Sequence, residues 1–304
     1  MGFNTHFKIN VKTTKFRKIC IILRSYEIYY NMYKIFDLHN DYYLKLASEK
    51  NKMKYVNLKS KDAENIVSAV WTTELSNEES MMVIEQARDF VNQHQNLLLG
   101  VEDLHFLSKE KMSQFLAFKP VYAGLTWNTT NCIAGGAHEA GKLTNFGRQV
   151  IKQIEQNNIK IDLAHLNEES FMDVSKTTTK PLFCSHTAFF GVSSNSRNLK
   201  DYQLKMIKDS GGLVGLCLVA HFLNETGTAT LDDIVSHIDY FACKFGVDNL
   251  AIGTDFYGTK FLPKHAKNYQ DLTTKLAEKL SKMGYTEKSI QKIFFENANR
   301  FFFA

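Results

Sequence analysis

From Lys34 onward, eight short apolar, β-prone runs alternate with segments of helical period, and this alternation constrains the fold more than any other feature. The runs are Lys34–Asp41, Ile66–Glu74, Leu97–Leu104, Val121–Asn128, Ile159–His165, Pro181–His186, Gly212–Ala220 and Leu250–Phe256. Several hold four or more consecutive apolar residues, the pattern of strands buried on both faces. Between them, amphipathic helices are expected over Glu79–Gln93, Phe146–Asn157, Asp201–Asp209, Leu231–Phe245 and Tyr269–Met283. Eight strands with helical crossovers is the count of a closed parallel barrel, so the fold class is α/β, a (β/α)8 TIM-like barrel. A doubly wound open sheet is the competitor, but no G-x-G-x-x-G or P-loop supports it. No internal repeat is detectable, and two of the three prolines (Pro120, Pro181, Pro263) sit at the start of a strand. No linker divides residues 32–304, which read as one domain.

The charge balance excludes one broad class. The formal net charge is +5, but residues 1–31 hold Lys8, Lys12, Lys15, Arg17, Lys18 and Arg24 against Glu27 alone. The rest of the chain is therefore neutral overall and has no basic bias toward phosphate backbones. Nucleic-acid binding is not expected. Residues 1–31 read as a basic extension, either a membrane-surface or targeting arm or an over-extended start ahead of Met32. The Ile19–Leu23 run is too short for a secretory core or a membrane span. Five scattered cysteines (Cys20, Cys132, Cys184, Cys217, Cys243) form neither a disulfide framework nor a C-x-x-C metal site. A cytoplasmic protein without a membrane partner is the expectation.

In barrels of this kind the chemistry sits at the C-terminal ends of the strands. Here five of the eight strands end in groups that bind metals or titrate: His39-Asn40-Asp41, Glu102-Asp103 with His105, Asp162-Leu163-Ala164-His165, Cys184-Ser185-His186 and Thr254-Asp255. A single histidine at a strand end is ordinarily structural, but five such ends need a common explanation. His39 and Asp41, at i and i+2, share one side of a strand and can chelate one ion. Imidazoles with carboxylates suit zinc, manganese or a similar divalent ion. The number of candidate ligands exceeds the need of one catalytic metal and matches two metals sharing a carboxylate. His6, His94, His237 and His265 fall elsewhere and are expected to be solvated.

These positions resemble the renal or membrane dipeptidases, zinc enzymes of the amidohydrolase superfamily, from about Phe36 to Arg300. The likeness is carried by Asp37-Leu38-His39-Asn40-Asp41, Gly100-Val101-Glu102 with His105, Asp162-Leu163-Ala164-His165, Ser185-His186, Ser196-Arg197-Asn198, Leu231–Asp239 and Gly253-Thr254-Asp255-Phe256. The resemblance implies a barrel of the metal-dependent hydrolase type with two Zn2+ ions. His39 and Asp41 would hold one, His165 and His186 the other, and Glu102 would bridge them. It further implies dipeptide hydrolysis by a hydroxide lying between the metals, whose pKa coordination brings near 7. Asp255 would take the proton of the attacking water and pass it to the leaving amine. Arg197 would clamp the substrate carboxylate. L-L and L-D dipeptides are the implied substrates, and family members are often dimers.

Three departures stand out. Trp127, in Leu125-Thr126-Trp127-Asn128, occupies the place of a substrate-contacting histidine, as in many bacterial relatives, so altered specificity is expected. Tyr257 replaces the second carboxylate of D-F-D-G, either to donate a hydrogen bond to substrate or to pack at the rim. Asp103-Leu104 replaces two glycines after Glu102 and restricts the backbone there, with His105 expected to support the site from behind. Glycines around His138 would allow a mobile lid, and His221 is expected to be incidental. Alternatives are a binuclear amidohydrolase acting on N-acyl amino acids or lactam-like amides, or a silent barrel kept as a binding protein.

Overall fold

The computed structural model describes residues 33–44, 63–266 and 268–304. The basic extension, His6, Cys20 and the proposed start at Met32 lie outside the described residues. Eight parallel strands close into a barrel in chain order: β1 (Phe36–Asn40), β2 (Asn65–Trp71), β3 (Leu97–Glu102), β4 (Tyr122–Gly124), β5 (Lys160–Asp162), β6 (Phe183–Thr187), β7 (Leu213–Leu216) and β8 (Leu250–Ile252). The longest register runs from Ile66↔Leu97 to Trp71↔Glu102, and Asp37↔Ile252 closes the barrel. The α/β barrel expected from the alternation is the fold observed. Six strands lie within their expected runs, while β2 starts one residue early at Asn65 and β6 ends one residue late at Thr187. β4, β5 and β8 are trimmed to three residues because the polar strand ends leave the ladder to form the mouth.

The helices are α1 (Asn77–Val91), α2 (Lys109–Ala117), α3 (Asn145–Gln156), α4 (Glu168–Thr177), α5 (Asp201–Asp209), α6 (Ala220–Leu223), α7 (Leu231–Phe245), α8 (Tyr269–Lys282), α9 (Glu287–Gln291) and α10 (Asn297–Phe303), with a π-helical stretch (Lys292–Glu296) before α10. Local chemistry sets their starts. Ser76 and Glu79 form a capping box on α1, and the Thr144 and Asn167 side chains accept from the third residue of α3 and α4. The sequence reading missed α2 and α4, along with the single-turn α6 and α9. Each of the first two is a short helix with few apolar anchors, Met112 and Phe115 in one and Phe171 and Val174 in the other, too few for a clear period.

The barrel floor is aromatic. Phe36, Tyr122 and Phe183 are fully buried, and Phe302 from α10 lies 5.6 Å from Phe36 and 5.5 Å from Phe183. Buried Asn297 donates to the Val247 and Leu250 carbonyls. The C-terminal helix therefore closes the barrel and leaves the opposite mouth for chemistry. The ladder register shifts in β1 between Asp37 and Asn40 and in β6 between Cys184 and Thr187. Both irregularities fall at a histidine, and such shifts re-aim side chains beside functional sites.

One expectation fails. His237 in α7 is completely buried: its Nδ1 accepts from the Phe189 backbone N–H at 3.1 Å, and its Nε2 lies 3.1 Å from the Leu223 carbonyl. The imidazole satisfies the Phe189 N–H beyond β6 and the Leu223 carbonyl at the C-terminal end of α6, which is why it was drawn inward. Burial depresses its pKa to about 4. His94 and His265 are exposed as expected.

Candidate metal centre

His39, Asp41, Glu102, His165, His186 and Asp255 converge at the C-terminal mouth from β1, β3, β5, β6 and β8. Glu102 Oε1 lies 2.6 Å from His165 Nε2 and 3.8 Å from His186 Nε2, and Glu102 Oε2 lies 3.7 Å from His39 Nε2. Asp41 and Asp255 each approach His39 Nε2 at 3.9 Å. Glu102, His165 and His186 form one compact donor set, and His39, Asp41 and Asp255 a second. Asp162 falls in a third set with His39 and His186, but its oxygens already accept from Ser185 N, Ala164 N and Ser185 Oγ.

The outer nitrogen of each imidazole is tied. His39 Nδ1 lies 2.8 Å from the Tyr122 hydroxyl, His165 Nδ1 2.9 Å from Asn128 Oδ1 and His186 Nδ1 2.8 Å from Ser185 Oγ. An amide oxygen only accepts, so His165 carries its proton on Nδ1 and presents a bare lone pair at Nε2. Ser185 Oγ spends its proton on Asp162 at 2.5 Å, so His186 likewise donates from Nδ1. Gly100 makes room for one of these tethers: a Cβ there would sit 2.6 Å from the Tyr122 ring.

Burial first, and the neighbouring Arg197 charge second, push His39 down to about 3. Burial likewise holds His165 and His186 well below the usual imidazole value. Burial and mutual repulsion hold Asp41 and Glu102 well above the carboxylate range, and burial lifts Asp255 to about 7. Neutral imidazoles facing crowded, desolvated carboxylates are the donor chemistry of a divalent cation site, and these residues fit one.

The backbone is strained here. His165, Asp255, Tyr257 and Asp103 adopt left-handed φ angles of 65°, 58°, 70° and 71°, each costing on the order of 1–3 kcal/mol. Asp103 thus keeps the conformation a glycine would take, stabilised by the bonds its carboxylate accepts from Thr73, His105 and Asn131. His105, held between Asp103 and the Leu75 carbonyl, is a supporting residue behind Glu102.

Above the donors lies a cleft of about 630 Å3 whose walls include Trp71, Glu74, Trp127, Phe222 and Tyr257. Trp127 packs edge-on against Trp71 at 5.5 Å and lies 6.0 Å from His165. Tyr257 lies 5.9 Å from Tyr42. Arg197 is buried behind two wall residues, with Nη2 3.4 Å from His186 Nε2 and the guanidinium over the Phe222 ring at 5.4 Å. Its Nε has no hydrogen-bond partner among the described residues. His138 and His221 are exposed and are not among the wall residues. The sequence reading assigned no role to Tyr122, Asn128, Asp162, Ser185 or Gly258. Asn128, Asp162 and Ser185 adjoin or share the short segments that hold the ligands, which was the signal available.

A closed parallel barrel with this buried cluster at its C-terminal mouth defines a metal-dependent hydrolase. The chain belongs to the membrane dipeptidase family, peptidase family M19, whose family model matches residues 51–304, and is thereby a peptide-bond hydrolase. That match begins after β1, so His39 and Asp41 join the site through barrel geometry. An uncharacterized protein of Klebsiella pneumoniae from the pqqA 5' region is 33% identical over 186 residues, covering 57% of this chain and 68% of its own. An uncharacterized dipeptidase of Schizosaccharomyces pombe is 30% identical over 203 residues, 63% of this chain and 49% of that protein; the chain thus spans about half the length of the yeast relative. Among solved structures, a Rhodobacter sphaeroides metallopeptidase liganded with a phosphinate mimic of L-Ala-D-Ala superposes with a TM-score of 0.78 at 20% identity, covering 89% of this chain and 98% of its own. A metallopeptidase of the same family, dipeptidase AC, superposes at 0.79 with 21% identity, over 90% and 99% of the two chains. Among the described residues, no helix is long and apolar enough to cross a membrane.

Proposed function

We propose that this chain is a zinc dipeptidase cleaving small L-L and L-D dipeptides, with two divalent ions held by His39, Asp41, His165, His186 and a bridging Glu102. The observation that carries the reading is the convergence of three tethered, neutral imidazoles on Glu102 within one buried cluster. Support for a D-residue on the C-terminal side is the ligand of the Rhodobacter sphaeroides neighbour. When bound, the ions supply an electrophile for the scissile carbonyl and bring a water's pKa near neutrality.

The protein's own groups do the rest. Asn128, Ser185 and Tyr122 orient the imidazoles. Asp255, anchored by its N–H to the His39 carbonyl at 2.9 Å, accepts a proton from the attacking water and returns it to the leaving amine. Arg197 receives the C-terminal carboxylate, for which its Nε–H, without a partner among the described residues, is in reserve. Trp127 and Tyr257 shape the cleft around the substrate side chains.

The test is metal content on protein purified without chelator, with L-Xaa-L-Xaa and L-Xaa-D-Xaa hydrolysis on the same sample. Close to two zinc per chain, with cleavage abolished by chelation, supports the reading. Two metals without dipeptide cleavage moves the substrate to N-acyl or cyclic amides. No metal uptake when zinc is supplied overturns it.

A further inference from the structure

Among the described residues, the cleft wall carries four carboxylates and no lysine or arginine. Asp41, Glu102 and Asp255 are engaged at its base. Glu74 has no hydrogen bond or ion pair among the described residues; it is exposed at the mouth, three residues beyond the end of β2. Around the closed barrel β2 and β6 lie opposite one another. Arg197 belongs to the β6 side, where its carbonyl accepts from Thr187 Oγ1 at 3.1 Å. Among the described residues the cleft is therefore polarised, with a buried cation beyond β6 and a carboxylate without a partner beyond β2.

Resting on the dipeptidase reading, we infer that Glu74 selects dipeptides whose N-terminal residue has a cationic side chain, a lysyl- or arginyl-type group. With the substrate carboxylate at Arg197 and the scissile bond over the donor cluster, the N-terminal residue points toward β2. Its α-ammonium lies one carbon from the scissile carbonyl and so stays near Asp41, Glu102 and Asp255 at the base. Only a long side chain reaches the mouth. The aliphatic stem would lie along the Trp71 and Trp127 rings, whose faces also attract a cation, and its charged end would meet Glu74. Because Glu74 is exposed, the gain is that of a solvent-screened ion pair.

The experiment compares kcat/KM for Lys-Ala, norleucyl-Ala and Glu-Ala in the zinc-loaded wild type, Glu74→Gln and Glu74→Lys. The wild type should prefer lysyl to norleucyl by about three- to tenfold, with the preference shrinking as salt rises. Glu74→Gln should bring that ratio to about one, and Glu74→Lys should favour glutamyl over lysyl. A wild type indifferent to charge, or a ratio unchanged in Glu74→Gln, overturns the inference. So does an equal fall for both substrates with the ratio kept, since Glu74 would then read the α-ammonium. Calorimetric binding of lysyl and norleucyl phosphinate dipeptides separates the two claims. A Glu74-dependent lysyl preference in binding without hydrolysis of any dipeptide would sink the dipeptidase reading and keep the role of Glu74.

Discussion

His165 Nε2 stands 2.9 Å from His186 Nε2, and the outer nitrogen of each ring is already committed, to Asn128 and to Ser185. Two lone pairs thus face each other beside Glu102 Oε1, an arrangement that a cation relieves.

Glu102→Gln tests that relation. Removing the carboxylate should reduce zinc bound per chain and lower dipeptide hydrolysis by about 10³-fold or more. The metal-free forms should behave differently. Burial holds Glu102 well above its ordinary pKa, so its contribution to stability is lost as pH rises through that raised value. Chelator-treated Glu102→Gln should therefore melt no lower than chelator-treated wild type at pH 8, while in zinc the wild type should be the more stable. Equal zinc content in the two proteins would refute the bridging assignment.

Asn128 acts on metal through His165. Asn128→Ala removes the acceptor that fixes the Nδ1 proton, and zinc affinity should fall by about 10–100-fold with little change in fold. Asn128→Asp keeps an acceptor and should recover most of that affinity. Competition with a zinc chelator reads the constants directly, and identical values for wild type and Asn128→Ala would show that the contact is incidental.

The barrel and the convergence of its candidate ligands were legible because both obey short-range rules: continuous apolar runs mark strands buried on two faces, and polar residues repeated at strand ends mark the mouth. His39 and Asp41 were readable from a spacing of two. The tethers were not, because Tyr122, Asn128 and Ser185 reach their partners across 83, 37 or one residue of sequence, and only the closed barrel shows which. His237 was misplaced for a related reason. Its partners, the Phe189 N–H just past β6 and the Leu223 carbonyl at the end of the short α6, present backbone needs that no period would reveal. Asp103 had seemed a restriction on the backbone after Glu102, whereas the structure shows an aspartate accepting the left-handed turn through its own hydrogen bonds.

Gly258 sits under two carboxylates of the centre. An added Cβ would lie 2.2 Å from Asp255 Oδ1 and 2.3 Å from Asp41 Oδ2, far inside contact distance. Gly258→Ala should displace both groups, weaken zinc binding by about tenfold or more and reduce hydrolysis by about 100-fold. The effect should be local, so the far-ultraviolet circular dichroism should match wild type. Full activity in this variant would mean that the loop after β8 moves freely and that Asp255 is not held where the structure puts it.

His237 gives a pH dependence remote from the metal donors. The folded chain keeps this imidazole neutral down to about 4, chiefly through burial, whereas an unfolded histidine titrates near 6.5. Between those values the unfolded state binds the extra proton, so stability falls as pH drops from about 6.5 toward 4 and is unaffected by this group above that window. The full loss is on the order of 3 kcal/mol. His237→Gln keeps an acceptor for the Phe189 N–H and a donor for the Leu223 carbonyl but does not titrate. Denaturant unfolding of metal-free wild type and His237→Gln at pH 7.5, 6 and 5 should show wild type losing stability faster on acidification, by close to one proton's worth of slope. Parallel curves would mean that the buried imidazole is already charged, or that it gains water on protonation at no cost.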